Sequence, residues 1–423
     1  MKDYVELIAD KIKRGADVIF YTVGSCTFEY LRELKNRFDL LPVAVCDGDV
    51  KKQGRTYNGL YGVTVISPDE AFSGYSDAEW FIPSLDYRYQ IIGYLTEKQG
   101  VSPERIINYT PVSKIRSCSS LQKALIYDRG GLLRFCWRDQ CPQIEPDDNL
   151  NTKDLLILRN NLIALIKSGK TLEGEPCQGC PQIREEYYPK DTLSWSINYF
   201  CTSVCNYRCT YCTVANNPVA ESNNGKHTLG EVIRAFEKGG LLSDEYGVIL
   251  STAGEPLIHQ KRSEFYEAFD GAELVINTNG SIYDLDLLKL MNRKRVLLMI
   301  SIDAGTRETY AQVKGIDAYE RVRKNLKRYS QASIGLVALK YLFIPGVNDN
   351  EENVDGFVEF FIETGATFAV VSIDYYGVDK ITESTREMIK RLKAKLSKKN
   401  VLCVPYTAGE TVEYAEKIRK LLD

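Results

Sequence analysis

The sequence predicts an α/β protein in which a partial (β/α)6, TIM-like barrel follows a small doubly wound parallel-sheet domain. Three observations carry this reading. Between Ser194 and Gly377 six short apolar runs alternate with helix-period segments, each run ending in polar or glycine residues. Residues 15–116 show a second, shorter alternation of the same kind. The stretch "CNYRCTYC", Cys205–Cys212, directly follows the first of the six later runs, at the strand end where barrels of this type carry their chemistry.

Composition sets the frame. A chain of 423 residues with 44% hydrophobic content exceeds one ordinary core and implies two or three domains unless one is a barrel. The formal net charge of −3 argues against a nucleic-acid partner. The opening "MKDYVELIADKIKRG" reads as a short amphipathic helix rather than a signal peptide. No run approaches the ~20 apolar residues that span a bilayer, so no membrane partner is expected and the protein reads as cytoplasmic. In that reducing compartment twelve cysteines are an improbable disulfide framework, and some of them are expected to ligate metal.

The elements follow in order. "DVIFYTVG", the helical "TFEYLRELKNRFD", "LPVAVCDGD", "GVTVIS", "AEWFIPS" and "RIINY" read as a small parallel sheet wound with helices, giving a first domain over 1–125. Residues 126–193 read as a cysteine-bearing bridge with one convincing helix, "TKDLLILRNNLIALIKSG", and the tight turn "PCQGCP". The barrel runs over 194–380 are "SWSINYF", "GVILSTAGEP", "ELVINTNG", "VLLMISIDAG", "ALKYLFIPG" and "AVVSIDYYG". Their C-terminal ends carry Glu255, Asn277, Thr278, Asn279, Ser301, Asp303 and Asp374. A helical extension over 381–423, with a strand at "VLCVPY", closes one side.

Three thiols in one loop pose the chemical question. A structural zinc or a simple electron-transfer cluster takes four protein ligands, whereas a catalytic centre keeps one coordination position open. Zinc would need a further ligand such as Cys201, because both histidines, His227 and His259, read as surface residues. A chance grouping of buried cysteines is the other alternative. Upstream, Cys177 and Cys180 in "PCQGCP" have the spacing that lets one turn present two thiolates to one metal. With Cys136 and Cys141 they make four, Cys201 being an alternative to Cys141. An auxiliary [4Fe–4S] cluster, a zinc ion and no metal all remain open there, and Cys26, Cys46, Cys118 and Cys403 read as unligated.

The three-then-two cysteine spacing, with an aromatic residue, Tyr211, before the last cysteine, resembles the loop of the radical S-adenosylmethionine superfamily. The resemblance covers roughly residues 194–376. "TAGEPL" is similar to that family's glycine-glycine-glutamate-proline turn, with Ala253 in place of the first glycine, and "NTNG" and "SIDAG" also match. The resemblance implies that Cys205, Cys209 and Cys212 hold three irons of a [4Fe–4S] cluster, the fourth binding S-adenosyl-L-methionine. It further implies cofactor contacts from Tyr211, Gly254 and Glu255, from Asn277 or Thr278, from Ser301 and Asp303, and from the turn Ile344, Pro345 and Gly346. Each of these also has an ordinary use in capping or turn making.

The activity so implied is reductive cleavage of S-adenosylmethionine to a 5′-deoxyadenosyl radical that abstracts hydrogen from a small-molecule substrate. The electron comes from a donor such as flavodoxin or ferredoxin. Lys340 and Tyr341 on the fifth run and Asp374, Tyr375 and Tyr376 on the sixth are the candidates for choosing that substrate. The run "AVCDGDVKKQGRTYNGLYGVTVISPDE" makes the first domain resemble the Rossmann-like domains of enzymes handling nucleotide-linked sugars in surface-glycan assembly, with Asp47 where a ribose-binding acid can sit. The expected substrate is therefore a sugar, alcohol or nucleotide-sugar. A peptide-modifying enzyme and a non-catalytic iron–sulfur sensor are the alternatives.

Overall fold

The computed structural model describes residues 3–128, 130–136, 143–146, 150, 152–170, 177–180, 182–191, 193–200, 202–212, 227–251, 254–269, 271–333, 335–373, 381–406 and 420. The chain forms two compact units. The first comprises Met1–Lys123, Arg159–Trp195 and Leu241–Tyr246, and the second Ala124–Leu158, Ser196–Gly240 and Gly247–Asp423.

In the first unit, α1 (Tyr4–Lys13) and α2 (Ser25–Phe38) flank a four-stranded sheet of β1 (Val18–Tyr21), β2 (Ala44–Cys46), β3 (Val65–Ile66) and β4 (Glu79–Phe81). Its order is β3-β2-β1-β4 and all its pairings are parallel. The strands are buried almost throughout, as expected of a parallel sheet covered on both faces. α3 (Pro68–Gly74) opens with a capping box between Ser67 and Glu70. "RIINY" supplies one bridge, Ile106 to Trp80, and not a strand, because Ile106 closes a single 3-10 turn on Pro103. β5 (Val112–Cys118) pairs antiparallel with β9 (Ile183–Pro189). α4 (Arg88–Gly93) lies against them, with Gly93 leaving room for the Tyr187 ring. Ile19, Trp80, Tyr89, Ile92, Tyr188 and Trp195 share the core.

The second sheet has ten strands. β6 (Ala124–Tyr127), β7 (Leu133–Arg134) and β8 (Gln143–Ile144) come from the segment read as a bridge. They are followed by β10 (Ser194–Phe200), β11 (Leu242–Ser251), β12 (Glu273–Thr278), β13 (Val296–Ser301), β14 (Leu336–Phe343), β15 (Phe368–Ile373) and β16 (Cys403–Pro405). The order is β16-β15-β14-β13-β12-β11-β10-β6-β7-β8. β11 through β16 pair parallel in sequence order, and β6 adds in parallel to β10. The six predicted runs thus become consecutive strands from β10 to β15, and "VLCVPY" becomes β16 on the outer side of β15.

α5 (Ser119–Lys123) belongs to the first unit and lies against β5, and α6 (Lys153–Lys167) begins in the second unit and continues into the first; the second unit's further helices are α7 (Leu229–Lys238), α8 (Arg262–Ala268), α9 (Leu285–Met291), α10 (Arg307–Lys314), α11 (Tyr319–Ala332), α12 (Glu351–Thr364) and α13 (Glu383–Ser397). Most start on a side-chain cap, as with Thr306 accepting from the Thr309 N–H at α10. The strands have two unlike faces. On β14 Leu339, Tyr341 and Phe343 are fully buried, and the Tyr341 ring lies 4.8 Å from that of Phe357 in α12. Lys340, between them, is half-buried on the other face, in register with Ser301 and Val370. Asn277 on β12 and Ser301 on β13 are also half-buried. His227 is a buried residue, 5% exposed, with its ring edge-on to Tyr127, so the surface reading of that histidine is corrected. It precedes the α7 cap, and burial of Leu229 and Val232 carries the chain inward there.

Candidate functional site

The cysteine loop leaves β10 and is held from three sides. Arg208 and Thr210 donate their backbone N–H groups to the carbonyls of Lys314 (3.2 Å) and Val313 (2.9 Å), so the C-terminal end of α10 is its seat. Gly315 ends that helix at φ 67, and a Cβ there would meet the Arg208 carbonyl oxygen at 2.6 Å. Both requirements select glycine. Tyr207 is buried and its hydroxyl lies 3.1 Å from that of Tyr310 in α10. Arg208 folds back to donate to the carbonyls of Cys205 (3.0 Å) and Tyr207 (2.9 Å).

The second side is the turn after β11. Glu255 donates its N–H to the Val204 carbonyl at 2.8 Å. A Cβ on Gly254 would collide with that same carbonyl and lie 2.8 Å from the Ser203 carbonyl carbon. The close approach that Gly254 permits on this side is thus to the cysteine loop itself. The Glu255 side chain is 2% exposed. Its Oε1 accepts from the Thr278 hydroxyl (2.6 Å) and the Leu257 N–H (3.1 Å), and its Oε2 from the Asn279 N–H (2.7 Å). Burial pushes its carboxyl up to about 7, with the hydrogen bonds from Asn279, Thr278 and Leu257 opposing. Asn279 continues to the loop: its amide donates to Asn206 (2.8 Å) and lies 4.0 Å from the Cys205 sulfur.

The third side is the strand end after β13. Asp303 is fully buried and sits at φ 57, a left-handed conformation that aspartate tolerates better than most residues. Its Oδ2 accepts from the Tyr211 hydroxyl and the Lys314 ammonium, both at 2.5 Å, and its Oδ1 from the Leu342 N–H at 2.7 Å. Lys314, 1% exposed, also donates to the Tyr211 hydroxyl at 2.9 Å. Burial, followed by the Asp303 charge, drives the Tyr211 phenol upward. Asn348 donates to the carbonyls of Asp303 (2.8 Å) and Leu342 (2.7 Å), and its own carbonyl accepts from the Ile344 N–H (2.7 Å). The Ile344, Pro345 and Gly346 turn is thereby tied to the same strand end. Ile344 and Pro345 are half-buried, and Gly346 is exposed at φ 77.

Cys205, Cys209 and Cys212 are each half-buried, and the Cys212 N–H donates to the Cys209 carbonyl at 3.1 Å. Burial raises the Cys205 thiol, and raises Cys209 to about 11 with the Lys314 ammonium as the largest opposing influence. Among the described residues no three His, Cys, Asp or Glu groups converge on a single-ion site. A soft, three-sulfur donor set on one braced loop suits an iron–sulfur group, which spreads its thiolates over several irons.

The sequence-derived candidates separate as follows. Tyr211, Gly254, Glu255, Thr278 and Asp303 are brought together with the cysteine loop, and each carries protein contacts of its own. Asn277, Ser301 and Lys340 lie on the half-exposed face of the sheet. Tyr341 does not join them: alternation along β14 turns it onto α12, where its hydroxyl donates to the Asn348 carbonyl at 2.7 Å. Asp374, Tyr375 and Tyr376 lie outside the described residues, as do Cys141, Cys201 and Ala253. Cys136 belongs to the second unit, while Cys177 and Cys180 belong to the first. The latter pair shares one turn, with the Cys180 N–H donating to the Cys177 carbonyl at 3.1 Å. Tyr207, Lys314 and Asn348 were not singled out from sequence. A lysine before a helix-ending glycine reads as an ordinary solvent-facing last-turn cation, and nothing local marks it as buried.

Residues 199–358 match the Radical SAM superfamily, so the chain carries a domain of that superfamily. Over 201 residues the chain is 27% identical to the GTP 3′,8-cyclase of Chlorobaculum tepidum, covering 46% of this chain and 59% of that protein. Over 220 residues it is 27% identical to the GTP 3′,8-cyclase of Alkaliphilus oremlandii, covering 48% and 66%. The match thus spans less than two thirds of either relative. Among solved structures, a radical SAM methyltransferase from Sphaerobacter thermophilus aligns with a TM-score of 0.40 and 13% identity over 80% of this chain and 91% of that one. SuiB of Streptococcus suis, bound to its precursor peptide SuiA, aligns with a TM-score of 0.39 and 13% identity over 70% and 73%. Among the described residues no helix is long and apolar enough to cross a membrane.

Proposed function

We propose, from the premise that this chain carries a radical SAM superfamily domain, that it is an enzyme whose Cys205, Cys209 and Cys212 hold a [4Fe–4S] cluster for the reductive cleavage of S-adenosyl-L-methionine. The observation that supports this most is the braced loop, in which three thiols follow β10 and the loop is held by the strand ends after β11 and β13 and by the end of α10. When bound, the cluster supplies the electron that splits S-adenosylmethionine into methionine and a hydrogen-abstracting 5′-deoxyadenosyl group, a small protein such as flavodoxin or ferredoxin being the electron source.

The chain's own residues do the positioning. Glu255 and Asp303 spend their carboxylate oxygens on protein donors, so they serve the cofactor by fixing the strand ends. Asn277 and Ser301, half-buried on the opposite face from the helices, are the groups in place to hydrogen-bond a carboxylate or ribose. Ile344 and Pro345 offer an apolar edge at the turn that Asn348 fixes. Lys340, beside Ser301 in the sheet, is the described candidate for contacting substrate, with its ammonium 4.1 Å from the centre of the Tyr406 ring.

The substrate class we assign is a sugar, alcohol or nucleotide-sugar. A nucleotide is the second reading, because the sequence relatives bear the name GTP 3′,8-cyclase. The first unit is assigned a Rossmann-like, doubly wound arrangement, a reading supported by its parallel β3-β2-β1-β4 order. Cys177 and Cys180, which share one turn, are proposed as two ligands of an auxiliary metal group. The deciding experiment is anaerobic reconstitution with iron and sulfide, reduction, and measurement of 5′-deoxyadenosine from S-adenosylmethionine, alone and with candidate sugars and nucleotides. Formation of 5′-deoxyadenosine is expected. Its absence from protein that has bound about four irons would refute the enzyme reading.

A further inference from the structure

Lys314 stands out because nothing in cofactor binding calls for it, yet it is one of the most deeply buried charges in the second unit. We propose that Lys314 and Asp303 are positioning residues for the metal-holding loop, anchoring it through Tyr211 and setting the reduction potential of the iron–sulfur group held beside them. The proposal rests on the cluster assignment made above.

The geometry argues it in three steps. First, the pair is not closed on itself. Asp303 Oδ2 is shared between Lys314 and Tyr211, and Lys314 reaches Tyr211 as well, so the residue immediately before Cys212 is bound by both charges. Second, the backbone repeats the connection: the carbonyls of Val313 and Lys314 receive Thr210 and Arg208, the neighbours of Cys209 on either side. One helix end thus fixes the loop next to two of its three cysteines. Third, burial of two ions is a poor way to gain stability alone, since apolar residues of similar size fill such sites at least as well. A buried charge is an effective way to bias a redox centre, whose potential follows net charge, hydrogen bonding and solvent exclusion. Lys314 and Asp303 are 1% and 0% exposed, so water screens neither.

A cation favours the reduced, more negative state of a cluster, and an anion disfavours it. The test uses the full chain, reconstituted without oxygen, with iron and sulfide counts, the spectrum of the reduced state, and a midpoint potential by dye titration at fixed pH. Lys314→Met is expected to lower the potential and Asp303→Asn to raise it, with the double variant lying between them. Tyr211→Phe keeps both charges and removes one hydroxyl; its potential is expected to stay near that of the unsubstituted chain. Iron in it should pass to a chelator up to about tenfold faster, as the loss of that hydroxyl's hydrogen bonds to Asp303 and from Lys314 predicts. Single variants that hold full iron and share the unsubstituted potential would overturn the proposal. Should the charge variants fail to fold, Tyr211→Phe decides, and an unchanged iron-release rate in it overturns the proposal. Failure of the unsubstituted chain to bind iron would instead sink the cluster assignment, so the two failures are distinguishable.

Discussion

Asp47 follows β2 in the first unit and Asp303 follows β13 in the second, and the two look alike at first sight. Each carboxylate is buried at the C-terminal end of a parallel strand, accepts from backbone N–H groups and takes a lysine ammonium. Each neighbourhood also holds a non-glycine residue at positive φ, Thr22 at 104° and Asp303 itself at 57°. The partners differ. Asp47 binds Val23 (2.8 Å), Asp49 (2.9 Å) and Lys52 (3.0 Å), all from the two turns it joins. Asp303 binds Tyr211, Lys314 and Leu342, which come from a loop, a helix end and a strand. Asp47 is a local staple, whereas Asp303 is a junction that ties the cysteine loop to a helix end and a strand. A strand-end acid, even with a lysine, is therefore no sign of a ligand site; what it connects is the sign.

The strongest way to break this comparison is at the thiols. Replacing any one of Cys205, Cys209 or Cys212 with Ala is expected to abolish 5′-deoxyadenosine formation, since two thiolates do not hold the cluster with one iron open to its cofactor. Near-normal cleavage in any of the three would refute the assignment. In the triple variant, about four remaining irons would support the auxiliary group proposed at the Cys177–Cys180 turn, and stoichiometric zinc would make that site structural.

Glu255 offers a second test, read against pH. Its folded-state pKa of about 7 exceeds the ordinary 4.5, so the folded chain holds a proton that the unfolded chain releases. Stability associated with this group is present below pH ~4.5 and is lost as pH rises to about 7, by up to about 3 kcal/mol. Glu255→Gln carries no such proton and should lack that decline, whatever its stability at any single pH. Parallel melting curves for both proteins across pH 4.5–8 would show that the carboxyl is not perturbed by burial.

Two glycines sharpen the contrast between the units. Gly315→Ala forces a side chain onto the Arg208 carbonyl at positive φ, for an expected loss of about 2–3 kcal/mol and weaker iron retention. Gly24, ahead of α2 in the first unit, is extended at φ −175 with open space around it. Gly24→Ala should cost less than about 1 kcal/mol. Urea midpoints compare the two, and equal losses would mean that the loop's seat on α10 is not a constraint.

What was legible in the sequence follows the same line. Runs such as "ELVINTNG" and "VLLMISIDAG" became β12 and β13 because strand periodicity and strand-end polarity are local properties. The cysteine spacing and "GEP" were legible for the same reason. Tyr341 was misplaced because fully buried parallel strands lack an apolar–polar alternation to reveal which face a residue takes. Lys314 and Asn348 escaped notice because their roles exist only once α10 and β14 are brought to the cysteine loop. The protein partners of Glu255 and Asp303 were equally hidden, since Thr278 and Asn279 reach the first, and Tyr211 and Leu342 the second, from other parts of the sequence.

A comparably small effect belongs to the first unit's pair. The Lys52 side chain is 23% exposed, and it reaches both Asp47 and the Val23 carbonyl (3.3 Å). Water can replace much of what this ammonium gives, and Asp47 keeps its two N–H donors when the lysine is gone. Lys52→Met should therefore cost about 1 kcal/mol, near the value of one partly exposed charged hydrogen bond. It should show as faster amide exchange at Val23 and Asp49, the groups the carboxylate holds. Iron content and reduction potential should be those of the unsubstituted chain, in contrast to Lys314→Met. A shift in potential with Lys52→Met would mean that the two aspartate–lysine pairs are not the separate devices their partners indicate. Unchanged exchange at both amides would mean that Asp47 holds its turn without the lysine, leaving the staple to the backbone donors alone.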